Sequence, residues 1–265
     1  MAVTTIPWGD GTNDNIYLSR NASEGNQTVE VSSDANTGAA RSKTVTFSAE
    51  GASPVTLTVN QAAAALSYIT DGLILHLDGI DKGGTAGRWS SLVGSCYYTL
   101  TSHSIEETKA ILMDGAGYIT ATNPVAGAYA SGTIEVCAEF LGTGSAAVMY
   151  GPTASLGFVI GASGYSFGIT SSSNLNQWNV TKQNLFTISM NADRCCFNGV
   201  VGGTKVNNSW SGNSTHSIGG RNATNKYYAK IRIYSIRKYN RILTEEEMLN
   251  NQRVDNARFN LGLTI

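Results

Sequence analysis

Apolar and polar residues alternate with a period of two through much of the first sixty positions. TVEVSS (Thr28–Ser33), KTVTFSAE (Lys43–Glu50) and VTLTVNQ (Val55–Gln61) each alternate, and DANTG and GASP lie between them. Such runs, broken by Gly, Asn, Asp and Pro, predict half-buried antiparallel strands from about Ile16 to Gln61. Ahead of them, Met1–Asn15 holds one apolar cluster, Ile6-Pro7-Trp8, followed by GDGTNDN, which reads as turn. AAAA (Ala62–Ala65) carries neither a turn signal nor a bulky core residue and reads as a linker, so the division falls between Gln61 and Leu66.

A second series follows. DGLILHLDG (Asp71–Gly79), AILMDGAGYITAT (Ala110–Thr122), GTIEVCAEFLG (Gly132–Gly142), AVMYG (Ala147–Gly151), LGFVIG (Leu156–Gly161), YSFGI (Tyr165–Ile169), NLFTISMNADRCCFNGV (Asn184–Val200), THSIGG (Thr215–Gly220) and YYAKIRIYSIRKYNR (Tyr227–Arg241) are strand candidates. Many short strands separated by turn residues favour a sandwich or jelly roll. One helix is predicted, TEEEMLNNQRV (Thr244–Val254). Thr244 and Glu247 form a capping box there, and Glu245 and Glu246 occupy the turn where the helix dipole favours anions.

Composition narrows the function classes. Charged residues make up 14% of the 265, against a usual share of about 25%. The formal net charge is -1 with no basic stripe, which argues against nucleic-acid binding. No apolar run approaches the roughly 20 residues of a membrane helix. The start, MAVTTIPWGD, lacks the charged and apolar regions of a secretory signal, so with Met1 as the natural start the expectation is a protein made in a cytosol and kept there or released by cell lysis, as for a virion. Cys96, Cys137, Cys195 and Cys196 show no C-x-x-C spacing and read as free, buried thiols. The adjacent pair Cys195 and Cys196 would face opposite sides of a strand.

Two resemblances add to this reading. G-x-x-T-V-x-V-x-x-x-x-N-T-x-x-x-R (Gly25 to Arg41) and the closing VTLTVNQ resemble the BACON family, an immunoglobulin-like module of Bacteroidetes proteins. The family's first strands have no counterpart, because only IPWGDGTNDNIYLSR stands in their place. That absence implies an unpaired edge able to dock on another chain. From Leu66 on, DGLILHLDG, the D-G-x-G-Y-I of Asp114–Ile119, T-I-E-V and F-N-G (Phe197–Gly199) resemble the laminin-G-like branch of the concanavalin A-like superfamily. The most specific piece is the end, IGGRNATNKYYAKIRIYSIRKYNRILTEEEMLNNQRVD. The expectation is therefore all-β: a small immunoglobulin-like sandwich over residues 1–61, then a concanavalin A-like jelly-roll sandwich over residues 66–265 with one C-terminal helix.

Candidate chemistry is sparse. The superfamily includes glucanases, yet the nearest acidic pattern is Glu135-Val-Cys-Ala-Glu139. Four strand residues separate these acids by about 13 Å, whereas retaining and inverting pairs need about 5–5.5 Å and 6.5–9.5 Å. Both are read as solvent-facing, and no catalytic residue is assigned. His76, His103 and His216 have no G-x-S-x-G elbow beside them, and His76 is read on its strand's polar face. No metal site is assigned. The resemblance would allow calcium on Asp78, Asp81 and Asp114, which serve equally as turn residues. Trp178 in SSSNLNQWNVT and Trp210 in NNSWSGNS lie in polar, loop-like sequence and are the candidate ligand-binding residues, as stacking platforms for a sugar. Trp8 and Trp89 read as packing residues.

Three functions compete on this basis. The first is a non-enzymatic structural or adhesive protein of a phage virion, a capsid decoration or fibre component. There the N-terminal module would dock on virion proteins or on a second copy, and the jelly roll would project towards a cell-surface glycan. The second is a secreted or surface carbohydrate-binding module of a Bacteroidetes bacterium. The third, a glycoside hydrolase, is disfavoured by the acid spacing.

Overall fold

The structure is a computed structural model describing residues 4–9, 14–19, 28–34, 36, 40–48, 50–62, 66–125, 132–142, 147–152, 158–161, 164–167, 177–178, 184–191, 193–202, 216–220 and 228–265, with only the backbone described over 147–178. The chain divides into two compact units, Met1–Leu66 and Ser67–Ile265.

In the smaller unit, β1 (Thr4–Pro7), β2 (Asn15–Leu18) and β3 (Val31–Ser33) form an antiparallel sheet in that order. β4 (Arg41–Phe47) and β5 (Val55–Gln61) form a second, two-stranded one. The sequence predicts no strand ahead of Ile16, only the apolar cluster Ile6-Pro7-Trp8, whereas β1 is a strand there. Thr4, Thr5 and Ile6 are β-branched and pair with Leu18, Tyr17 and Ile16, while Pro7 ends the strand. Trp8, Ile16, Leu18 and Val45 form the core. Arg41 and Gln61, conspicuous in the sequence, are directly opposed in the β4–β5 register and joined by a 2.8 Å hydrogen bond. The Arg41 guanidinium also lies 4.5 Å over the Trp8 ring and bonds Asp14, and the Gln61 amide donates to Asp34 O, so this pair ties the two sheets together.

The larger unit comprises β6 (Leu73–Asp78), β7 (Arg88–Ser90), β8 (Tyr97–Thr99), β9 (Ser104–Glu106), β10 (Ile111–Asp114), β11 (Ile119–Thr122), β12 (Thr133–Phe140), β13 (Ala147–Pro152), β14 (Phe158–Gly161), β15 (Gly164–Phe167), β16 (Gln177–Trp178), β17 (Leu185–Asn191), β18 (Cys195–Phe197), β19 (Val200–Gly202), β20 (His216–Ile218), β21 (Lys230–Tyr239) and α1 (Glu245–Phe259). One sheet runs β19-β18-β17-β12-β21-β10-β9, with β6 also pairing β21. The other runs β16-β15-β14-β13-β20-β11-β8-β7. The unit is an all-β sandwich carrying, among the described residues, one helix at its C-terminal end. Ala110–Thr122, read as one strand, is two. Gly115, at φ +84°, turns the chain so that β10 and β11 join different sheets.

Alternation along β12 sends Ile134, Val136, Ala138 and Phe140 into the core between the sheets, with Leu77, Trp89, Tyr98, Phe186 and Ile188. The opposite face of β12 and β17 is buried as well, because α1 lies on it. The helix starts at the predicted capping box: Thr244 accepts from the Glu247 amide, and the Glu247 carboxylate accepts from the Thr244 amide. It runs past the expected end at Val254 to a left-handed Asn260 cap. Asp255, a poor helix former, is held because its carboxylate is bound from several sides.

That binding is the interior of a polar layer. Arg237, fully buried, donates to Asp255 Oδ1 (2.7 Å) and Oδ2 (2.6 Å), and to Glu135 Oε2 (2.8 Å). Ser189 and Asn251 also donate to Glu135, and Ser235, Tyr68 and Thr187 donate to Asp255. Tyr68 lies 4.2 Å from the guanidinium, over which its ring stacks. Burial pushes the Glu135 carboxyl up against the pull of Arg237. Burial works against the Arg237 charge too, but Asp255 and Glu135 hold it on. Glu135 is therefore a buried cross-strand partner of Arg237, with no exposure to solvent, where the sequence reading had it solvent-facing. The outward face of a strand faces water only where no helix covers it. His76 is on the face of β6 opposite Leu75 and Leu77, as read from sequence, but only 8% exposed, edge-on to Tyr68 at 4.9 Å.

The four cysteines are free and buried. Cys195 packs in the sandwich core and Cys196 in the cluster beneath α1, on opposite faces as adjacency on a strand demands.

Arg237→Ala should remove about 3–5 kcal/mol of stability, since it leaves two buried carboxylates without their cation. Urea denaturation followed by circular dichroism measures this, and a loss within the range of a surface ion pair would show that α1 docks without it. A second expectation concerns acid. Burial lowers both His76 and His216 from 6.5 to about 4. Between those values the unfolded chain takes up protons that the folded chain refuses, so stability falls as pH drops from about 6.5 to about 4. Melting temperatures across that window should decline less steeply for a His76→Gln/His216→Gln double variant, and equal slopes would count against the assignment.

Candidate functional site

β21 carries the irregularity that makes a site. Its core-facing residues are Ile231 and Ile233, then Ile236, so the alternation changes phase between them. In the ladder with β12, Cys137 opposes Ser235 while Ala138 opposes Ile233, and Tyr234 is the extra residue of a β-bulge. Bulges re-aim side chains and concentrate at functional sites. Here the bulge turns Tyr234 outward beside Arg232, on the face that α1 covers further along the strand.

Tyr234 and Arg232 lie in a groove of about 450 Å³, within the range of about 300–1,000 Å³ common for small-ligand sites. Phe259 and Leu261 enter from the end of α1, on either side of the left-handed Asn260 cap. Glu107, Thr108 and Lys109 come from the β9–β10 connection, Glu139 from β12 and Leu185 from β17. The Tyr234 and Phe259 rings are 5.5 Å apart and inclined at 45°.

Electrostatics in the groove centre on Arg232. It faces Glu139 directly in the register, as Arg237 faces Glu135. Its Nε donates to Glu107 Oε2 at 2.6 Å, its Nη2 to Glu107 Oε1 at 3.2 Å, and its Nη1 to Glu139 Oε2. These hydrogen bonds raise the Arg232 guanidinium above its usual range. Tyr234 Oη donates to Glu139 at 3.4 Å, and burial followed by the Glu139 charge pushes its hydroxyl up to about 12. Lys109 Nζ donates to Phe259 O, capping the helix end. Glu107, Glu139 and Arg232 are partly exposed and Lys109 is exposed, in contrast to the Arg237 layer.

Of the residues weighed from sequence, Glu139 lines the groove, and the other described ones do not. Trp178 lies on β16 opposite Tyr165, on the last described strand of its sheet, and its side chain is outside the described part. Trp210 lies outside the described residues. Asp78, Asp81 and Asp114 each have a turn or pairing role. Burial works to raise Asp78, but Arg258 and the amides of Asp81 and Ile80 hold it below the usual carboxylate range. Asp81 accepts from the Gly83 amide, and Asp114 accepts from the Ala116 amide and pairs with His103. Among the described residues no group of three or more His, Cys, Asp or Glu is placed to hold a metal. Trp89 is fully buried with its indole N–H on Asp78 O, and Trp8 is in the small core, both as packing residues. The groove residues Glu107, Arg232, Tyr234 and Phe259 were not found by sequence reasoning. The phase change in KIRIYSI was the available signal.

No protein-family model and no curated protein matches the chain. Among solved structures, Trypanosoma rangeli sialidase in a covalent-intermediate complex with 2,3-difluorosialic acid is similar at a TM-score of 0.53 and 15% identity, over 74% of this chain and 34% of the sialidase. The same sialidase in complex with sialic acid matches at 0.53 and 12% identity, over 97% of this chain and 52% of that one. A point mutant of HCR/D matches at 0.50 and 12%, over 72% and 53%. The chain thus spans about a third to a half of the sialidase structures it matches. At these identities the likeness is one of fold, an all-β sandwich.

Proposed function

We propose that the larger unit is a non-enzymatic carbohydrate-binding module of laminin-G-like type, and that the Tyr234 groove is its sugar site. The observation that carries this is an aromatic floor, Tyr234 on Phe259, ringed by Glu107, Glu139 and Arg232 in an open groove. Sugars present apolar ring faces edged with hydroxyls, and this combination meets both. The sandwich fold shared with sialidase structures that hold sialic acids is in keeping with such a role.

Catalysis is disfavoured by the same geometry. Glu135 is sealed under α1, so it forms no acid–base pair with Glu139. Tyr234 is raised to about 12, the wrong direction for a tyrosine nucleophile, and Arg232 is committed to two carboxylates. The thiols are buried, and burial raises Cys96 to about 11 and Cys196 to about 12.

Isothermal titration of an oligosaccharide panel tests the reading. Tyr234→Ala should weaken binding about tenfold or more, equivalent to about 1.4 kcal/mol, and no reducing ends should be released. Loss of binding confined to Trp178→Ala or Trp210→Ala would move the site to those tryptophans.

The smaller unit is proposed as a BACON-like docking module, in the virion setting expected from the sequence. One observation favours docking. The face of β5 that packs at Val59 continues outward as Val55 and Leu57, which are 65% and 38% exposed. Covering such a strand is a common fate of exposed edges. Light scattering should show self-association that Val55→Asp with Leu57→Asp abolishes. A wild-type chain that stays monomeric at high concentration would remove the second copy as partner, and its absence from a mass-spectrometric inventory of purified virions would remove the virion.

A further inference from the structure

We infer that β5 of the smaller unit pairs edge to edge, antiparallel, with β5 of a second copy of this chain, an inference that rests on the docking reading of that unit. Among the described residues β5 pairs only with β4, so the backbone donors and acceptors along its other side are open. An open edge is a template for another strand unless something blunts it, and the usual devices are shortness, proline and charge. The other edge strands of the unit each carry one. β1 has four residues and ends in Pro7, β3 has three residues, and β4 carries Arg41 and Lys43. β5 carries none, since its seven residues, Val55–Gln61, include no proline and no charged side chain.

The same strand is complementary to itself, which is what a two-fold contact between identical chains requires. The β4–β5 register puts Val55, Leu57 and Val59 on the face of Val45 and Phe47. It puts Thr56, Thr58 and Asn60 on the face of Ser42, Thr44 and Thr46, and these six are exposed. A two-fold axis through Leu57 sets Leu57 against its own counterpart, Val55 against the second copy's Val59, and Thr56 against its Thr58. An axis through Thr58 sets Leu57 against Val59 and Thr58 against Thr58. Both registers keep Leu57 opposite an apolar residue and threonine opposite threonine at the centre. The register between them would set apolar residues against the polar face. Like charges directly opposite each other would oppose such a pairing, and β5 brings none. The residues it would cover are Val55 and Leu57, 65% and 38% exposed on the face that forms the core further along.

The experiment uses the full chain in sedimentation equilibrium, where the wild type should form a dimer. Thr56 and Thr58 oppose Thr46 and Thr44 on the exposed face, so charges placed there test the edge and leave the apolar face alone. Thr56→Lys with Thr58→Lys, and separately Thr56→Glu with Thr58→Glu, should each raise the dimer dissociation constant at least about tenfold, because like charges then meet in either register. The two double variants mixed in equal amounts should associate again, because each pair is then of opposite sign, and recovery also shows that both are folded. Weakening without recovery in the mixture would overturn the edge pairing. Association that both variants keep, and that Val55→Asp with Leu57→Asp abolishes, would overturn it too and leave docking through the apolar face standing. A wild-type chain that stays monomeric at high concentration would overturn the pairing and the second copy as partner together.

Discussion

A guanidinium buried without any exposure to solvent keeps its charge, so its surroundings must be built to meet it. Arg237 is met from two directions. Glu135 reaches it across the β12–β21 ladder, and Asp255 reaches it from α1 with a two-pronged pair. The sheet alone provides only one of these carboxylates, and the second fixes where the helix lies. A shift of one residue along α1 would turn Asp255 about 100° away from its cation. Asn251 and Gln252, on the same helical face, then find Glu135, Ser189 and the Cys196 carbonyl within hydrogen-bond distance. The layer between sheet and helix is polar and yet closed, and the guanidinium and two carboxylates at its centre meet matched donors and acceptors.

The same strand shows what happens where the helix ends. Arg232–Glu139 and Arg237–Glu135 are equivalent cross-strand pairs, one on each side of the bulge at Tyr234. The inner pair is fully buried, and the outer pair is 28% exposed on both partners. Buried, the pair serves packing and cannot reach a ligand. Half-exposed, it retains unused donors and lone pairs beside an aromatic ring. The difference between structural and recognition chemistry on this face is one of helix cover.

Much of the fold was legible in the chain. The period-two runs fall on β3, β4 and β5, the strand candidates of the second series hold β6, β12 and β17, and the Thr244–Glu247 box starts the helix. Arg41 and Gln61 form the bond that ties the small unit together. What failed has a common cause, which is that local pattern does not say what covers a surface. Glu135 alternates with apolar neighbours as a solvent-facing residue would, and only the path of α1 buries it; Tyr68, from outside the strand, does the same for His76. Thr4–Pro7 is too short to announce itself as a strand and forms one because β2 offers an edge. The groove was harder still, since it joins residues from five separate segments. Its sole local trace was the spacing Ile231, Ile233, Ile236, whose phase change marks the bulge.

Groove and polar layer share no hydrogen bond to a common side chain, yet one determines the other. Phe259 stands four residues, about one turn, beyond Asp255, and so on a neighbouring part of the same helical face. Anchoring Asp255 on Arg237 places Phe259 against Tyr234, and Arg258 on Asp78 holds the same turn from the other side. The Asn260 cap then ends the helix there, and with it the cover over β21. The ion pair that cannot touch a ligand therefore sets the wall that can, and the rigidity of a buried, matched network is passed to a site open to water.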